Sequence, residues 1–256
     1  MAATIACTAT ANDDLTQYVN TLMGTQSSFE LSTGNTYPAV AMPWGMNFWT
    51  PQTGKMGDGW AYTYDAHKIR GIKQTHQPSP WINDYGQFSM MATVGTPVFD
   101  EEKRASWFSH KGETAMPHYY KVYLADHDVV AEVTPTERAA MFRFTFPATD
   151  SANVIIDAFD RGSAINIDAS KHRVTGYTTR NSGGVPDNFR NYFVVEFDRP
   201  FEYFYTVTDS VLSKGATSAE GNHTGAIVGF KTSKGEIVNA RVASSFISPE
   251  QALLNL

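Results

Sequence analysis

One cysteine, Cys7, occurs in 256 residues, so no intrachain disulfide framework and no multi-cysteine metal site can form. Charge is sparse as well. Lys and Arg number 20 and Asp and Glu 26, giving a net charge of -6 and a pI near 5.6. That balance leaves no basic footprint for nucleic acid or an anionic membrane, and it fits an uncharged or weakly charged partner. No apolar run approaches the roughly 18 residues of a transmembrane helix. The seven histidines form no His-x-x-Glu-His or His-x-His pair, so a zinc site lacks its usual spacing. There is no Gly-x-Ser-x-Gly elbow, no P-loop and no dinucleotide-binding glycine fingerprint. Self-contained catalysis has little support.

What is present is strand. Tyr119 to Leu124, Val129 to Thr134, Ala139 to Phe146, Asn153 to Phe159 and Tyr192 to Phe197 are short runs of β-branched and aromatic residues. So are Glu202 to Val207, Ala226 to Lys231 and Glu236 to Phe246, with Gly, Pro, Asp and Asn between them. Phe142, Phe144 and Phe146 alternate with Arg143 and Thr145, as in a strand with one buried face. Many short strands with little helical periodicity predict an all-β chain, a large antiparallel sandwich with short helices at its two ends. No internal repeat or low-complexity linker divides it.

The helix signals are terminal. Asp13 to Met23 reads as a short helix capped by an Asp. Ser248-Pro249-Glu250-Gln251 reads as a helix start, with Ser at the N-cap, Pro at N1 and Gln at N3 of a capping box. Ala252, Leu253, Leu254 and Leu256 then open an apolar face, which implies that the natural polypeptide continues. The first eleven residues are small and uncharged, consistent with a disordered end or the tail of a trimmed export signal. Thr4-Ile5-Ala6-Cys7 faintly resembles a lipoprotein cleavage site. The expected division is 1–14 as that end, 15–247 as the sandwich, and 248–256 as the start of a linker or helix.

Function is concentrated in the first third. Residues 29–88 hold eleven aromatics in sixty positions, including Trp44, Trp49, Trp60 and Trp81, against twenty-two in the other 196. Residues 71–88 put His76, Trp81, Asp84 and Tyr85 on a loop stiffened by Pro78 and Pro80. Flat rings beside hydrogen-bonding groups suit a sugar surface, and Trp60 or Trp81 would stack on it. The same residues equally describe a surface turn whose His and Trp merely pack. Trp44 and Trp49 are expected in the core. Glycosidases need two flanking carboxyl groups; Asp58, Asp65 and Asp84 are available, while Asp100-Glu101-Glu102 reads as a solvated turn.

Several blocks, in order, resemble the N-terminal domain of glycoside hydrolase family 92, the calcium-dependent exo-acting α-mannosidases. They are Tyr18 to Thr25, Gly34 to Met46, Gly71 to Gly86, Ala131 to Arg138, Asn188 to Phe193, and Ser244 to Ala252. The resemblance implies an N-terminal β-sandwich (a supersandwich) followed by an (α/α)₆ barrel absent from this chain, with the active site between them. It implies hydrolysis of terminal α-mannosides with inversion, by carboxylates and a calcium ion held mainly by the helical domain. This chain would then carry no catalytic residue and be inactive alone. It would supply one wall of the site, with Trp60 stacking at the leaving-group subsite and His76, Trp81 and Asp84 shaping the rest. The implied partners are an α-mannoside glycan, such as an N-glycan being degraded, and the helical domain of the same polypeptide. The implied setting is export from a bacterium, to periplasm, medium or cell surface. Two departures bear on specificity: Gln77 to Ile82 replaces a Ser/Gly-rich stretch, and Trp44 stands where a Phe is common. A stand-alone carbohydrate-binding sandwich is the alternative reading.

Overall fold

The computed structural model describes residues 14–256 except 29, 32–34, 77, 78 and 80; Cys7, Asp13, Gly34, Pro78 and Pro80 lie outside the described residues. Two antiparallel sheets face each other. The first has seven strands in the order β1 (Phe48–Gln52), β3 (Gly71–Thr75), β4 (Ser89–Val94), β10 (Thr149–Asp157), β17 (Thr224–Thr232), β14 (Tyr203–Thr208) and β15 (Val211–Lys214). The second has nine: β16 (Ser218–Gly221), β11 (Ser163–Asp168), β12 (Arg173–Thr178), β13 (Asn191–Phe197), β18 (Glu236–Ser245), β9 (Ala139–Phe146), β8 (Val129–Pro135), β7 (Tyr119–Leu124) and β6 (Glu113–Met116). A small ribbon pairs β2 (Lys68–Ile69) with β5 (Ser106–Trp107).

The core is where the alternation of β9 predicts it. Ala140, Phe142, Phe144 and Phe146 are buried while Met141 and Arg143 face out. Phe142 meets Trp49 of β1 edge-on at 4.8 Å, and Phe88 stacks on Phe193 of β13 at 4.4 Å, so aromatics bridge the two sheets. β10 is buried from Ala152 to Asp157 and β17 everywhere but Lys231, and the 97–109 segment packs on their Asp157–Gly225 end through Phe99 and Arg104.

At the C-terminal end, α1 (Pro249–Asn255) starts as expected, with Ser248 Oγ accepting the Gln251 N–H at 3.1 Å. The box does not close, because the Gln251 side chain turns forward to Asn255 at 2.9 Å. Ala252 is buried on Val194 and Ala243, on the face of the nine-stranded sheet away from the core, and Leu256 packs beside it. Leu254 stays 79% exposed.

Three expectations need correction. The N-terminal helix is a single 3₁₀ turn, Leu15–Tyr18, capped by Asp14; Leu15 and Tyr18 are exposed among the described residues, and so short a segment gains little from its own hydrogen bonds. Trp49 fills the core but Trp44 does not, being 99% exposed with φ +62°. Gly45 N–H closes a tight turn on Met42 O and Met46 N–H holds that turn to Glu137 O at 3.0 Å, which leaves Trp44 at its tip. The Asp100–Glu102 turn is solvated at Asp100 and Glu102, but Glu101 is half-buried and accepts the Met56 N–H at 2.8 Å.

Candidate functional site

Three of the four site candidates lie where β3 leaves its sheet. The chain is turned back by Asp84, whose buried carboxylate accepts the N–H of His76 at 3.1 Å and of Tyr85 at 2.8 Å. A negative oxygen facing two backbone donors is a strong organiser of a loop. Ser79 and Asn83 exchange backbone hydrogen bonds of 3.1 and 2.8 Å, with Asn83 in the left-handed region that Asn tolerates. Trp81, 77% exposed, projects from that turn, and Ser79 Oγ accepts its N–H at 3.2 Å. Gly86, at φ +62°, closes the loop; a Cβ there would lie 2.7 Å from Asn191 Cβ and 2.8 Å from the Phe246 ring.

His76 sits under this turn. Its Nδ1 lies 2.7 Å from Tyr85 O, and since a carbonyl only accepts, that nitrogen carries the proton. Burial lowers its pKa against the pull of Asp84, so the ring is neutral and Nε2 holds a lone pair. Nε2 is shielded from solvent and no described residue donates to it. The ring meets Phe246 edge-on at 4.7 Å, beside a cavity of about 90 Å³ lined by Met46, Arg138, Ser244, Ile247 and Asn255. An acceptor enclosed beside such a cavity calls for a hydroxyl or N–H donor.

Trp60 belongs to a second loop, between Thr53 and Thr63, whose ends are joined by Thr53 N–H to Ala61 O at 2.9 Å and Thr63 N–H to Thr53 Oγ1 at 2.9 Å. Inside it, Asp58 Oδ1 accepts the Trp60 N–H at 3.0 Å. Gly57 adopts φ +78°, and the Arg180 guanidinium, paired with Asp160, occupies the space a Cβ would need. Trp60 itself is partly buried.

The two loops share one cation. Lys73 of β3 is buried, and its ammonium donates to Gln87 Oε1 at 2.9 Å. Burial pulls its pKa down to about 8; Asp84 and Asp58 act in the opposite direction, one from each loop, while Arg180 adds to the lowering. The structure therefore joins His76, Trp81 and Asp84 in one loop and links Trp60's loop to it electrostatically. Asp58 and Asp84 both bind backbone N–H groups, and Asp65 is near the surface with Gln26 at 3.4 Å. Among the described residues, no three His, Cys, Asp or Glu side chains converge as a metal site. Lys73, Glu101, Arg180 and the exposed Trp44 were not singled out for the site from sequence. A lysine in mid-strand, Gly71-Ile-Lys-Gln-Thr75, was the readable signal for the first. For Arg180 and Glu101 none existed, because they reach the loop from 45 or more residues away.

Against known proteins, the profile of the glycosyl hydrolase family 92 N-terminal domain matches residues 18–245. The chain belongs to glycosyl hydrolase family 92. This family 92 domain is 46% identical to a solved family GH92 inverting mannosidase of Bacteroides thetaiotaomicron, with a TM-score of 0.92 over 96% of this chain and 33% of that one. A GH92 α-mannosidase of the same organism, solved with mannoimidazole, is 29% identical with a TM-score of 0.82, covering 94% and 33%. An uncharacterized secreted glycosidase of Arthroderma benhamiae is 22% identical over 94% of this chain and 34% of its own. The chain thus spans about a third of the length of these relatives. No described helix is long and apolar enough to cross a membrane.

Proposed function

We propose that the family 92 domain is the N-terminal part of an exported bacterial exo-α-mannosidase that hydrolyses terminal α-mannosides, such as those of N-glycans, with inversion. Its role is one wall of the substrate site. The observation that carries this reading is the 46% identity, at a TM-score of 0.92, to a structure described as an inverting mannosidase. Trp60 stacks on the leaving-group sugar. Asp84 shapes the 76–85 loop, His76 offers its Nε2 lone pair to a hydroxyl or partner N–H, and Trp81 overhangs the opening. The apolar residues at this end support a docked second domain: Trp44 is 99% exposed, Met46 63%, Ile247 78% and Leu254 79%. That domain, read as helical, brings the acid and base, which inversion requires to stand roughly 6.5–9.5 Å apart. A calcium ion held there by oxygen ligands would act as a Lewis acid on sugar or water.

The test joins this domain to the following two thirds of a family 92 polypeptide and follows the anomer released from α-mannosides by proton NMR. The expected first product is β-mannose, lost on chelation and restored by calcium, with this domain alone inactive. A folded full-length protein inert on every α-mannoside overturns the reading. Sub-millimolar binding of mannobiose by the isolated domain favours a stand-alone sugar-binding module instead.

A further inference from the structure

Two carboxylates, Glu101 and Glu113, hold the chain on either side of Trp60. Four residues before it, the Met56 N–H donates to Glu101 Oε2 at 2.8 Å. Glu101 is itself on a fixed base. Asp100 Oδ1 accepts the N–H groups of Glu102 and Lys103 at 3.1 and 3.0 Å, which winds the 100–104 turn. Arg104 ties that turn down, with its buried guanidinium 2.8 Å from Asp157 Oδ2 and donating to Phe99 O at 2.8 Å and Arg70 O at 3.0 Å. Arg70 in turn donates to Thr53 O at 3.0 Å and pairs with Glu102 at 2.6 Å, so the loop's first residue and the turn are stitched together.

Two residues after Trp60, the Tyr62 hydroxyl donates to Glu113 at 3.1 Å. Glu113 also accepts from Tyr120 at 2.6 Å, and His110 Nδ1 stands 2.6 Å from it. His110 Nε2 faces Tyr64 O at 2.8 Å and its ring stacks on Tyr64 at 3.8 Å. A carbonyl only accepts, so His110 Nε2 donates to Tyr64 O while Nδ1 faces Glu113. Glu113 thus gathers Tyr62, Tyr120 and His110, and the 62–64 segment is fastened to the β6 edge of the nine-stranded sheet.

We propose that Glu101 and Glu113 are positioning residues for Trp60, fixing the indole in its binding orientation before substrate arrives. The inference rests on the reading of Trp60 as a sugar contact and deepens it. A ring held in place in advance loses little freedom on binding, so its stacking energy goes to affinity. The anchors lie outside the pocket and act on recognition, so their loss falls on KM more than on kcat.

The experiment labels the full-length enzyme with 5-fluorotryptophan, assigns the Trp60 resonance through Trp60→Phe, and compares Glu101→Ala, Glu101→Gln and Tyr62→Phe. Glu101→Ala removes the acceptor for the Met56 N–H. The expected result is a shifted and broadened Trp60 resonance, with the other tryptophans unmoved, and KM on an α-mannobioside up about tenfold at near-constant kcat. Glu101→Gln keeps a carbonyl oxygen for Met56 and restores both. Tyr62→Phe spares the Glu113 carboxylate, so it tests the second anchor in a folded protein and moves the same resonance. An unmoved Trp60 resonance in Glu101→Ala and Tyr62→Phe overturns the proposal. A moved resonance with unchanged KM upholds the anchoring and overturns the assignment of Trp60 to the substrate.

Discussion

Trp60 and Trp81 sit on loops that leave opposite ends of the β1–β3 pair, one after Gln52 and one after Thr75, and they are held in different ways. Trp60 is partly buried on a loop fastened from outside, by Glu101 at Met56, by Arg180 at Gly57 and by Glu113 at Tyr62. Trp81 is 77% exposed at the tip of a loop whose base is pinned by Asp84, by Gly86 N–H to Arg180 O at 2.7 Å and by the Tyr85 hydroxyl to Gly183 O at 3.2 Å, while the tip itself is held by the local Ser79–Asn83 turn. The first arrangement fixes a ring in place. The second leaves its ring free to be placed by whatever closes over it. On the proposed wall, the pair combines a preset contact with an adaptable one.

The largest expected effect comes from removing the foundation of the Trp60 side. Burial by itself would raise the Asp157 pKa; Arg104 and His223, the latter 2.7 Å away, outweigh it and hold the carboxyl below its usual range. Arg104→Met leaves that buried carboxylate with His223 and the Phe159 N–H, a loss of about 3–5 kcal/mol. For a domain of this size that lowers Tm by roughly 10 °C at pH 7. The sign of the pH dependence follows. A depressed carboxylate contributes stability above its unfolded pKa, about 3.9, and loses it as pH falls through the lower folded value. Thermal unfolding of both proteins from pH 3 to 7 is therefore expected to show the gap narrowing at the acid end. A gap that widens there contradicts the ion pair as the source of the stability.

A smaller effect is expected on the Trp81 side. Asp84→Ala removes the acceptor of two backbone N–H groups, worth about 2–3 kcal/mol with a charged partner. Its consequence is more local. His76 loses the carboxylate that opposes the burial effect on its ring, and the 76–85 segment exchanges amide protons faster while β10 and β17 do not. Hydrogen exchange read residue by residue checks this, and uniform acceleration across both sheets argues that Asp84 supports the whole sandwich instead.

How much of this was legible follows the range of the contacts. The strands from Tyr119 onward, and the alternating β9 above all, were readable because period-2 burial is a local pattern. The resemblance blocks placed the family and the fold. β11 and β12 went unread between glycines and polar residues, and β1 and β3 were hidden inside the aromatic-rich 29–88 stretch. β3 reads Gly-Ile-Lys-Gln-Thr and is buried throughout, because loops cover its polar residues and Lys73 finds Gln87. No alternation survives when both faces are covered. Trp44 was misplaced for a different reason: hydrophobicity predicts burial on average, and only the turn clipped to Glu137 shows that this indole points out.

The smallest expected effect separates the two tryptophans most directly. Trp81→Ala removes a ring that is 77% in solvent and whose loop is shaped by Ser79, Asn83 and Asp84, none of which it touches with its side chain hydrogen bond donor in the described residues. Stability is expected to change by no more than about 0.5 kcal/mol, as for an ordinary surface substitution. Chemical denaturation with an unchanged m-value measures it. In a full-length enzyme the same change is expected to alter the ranking of α-mannosides of different linkage by severalfold in kcat/KM, because an adaptable ring selects among leaving groups without carrying the fold. A stability loss above 1 kcal/mol together with an unaltered ranking makes Trp81 a packing residue, and the contrast with Trp60 then reverses.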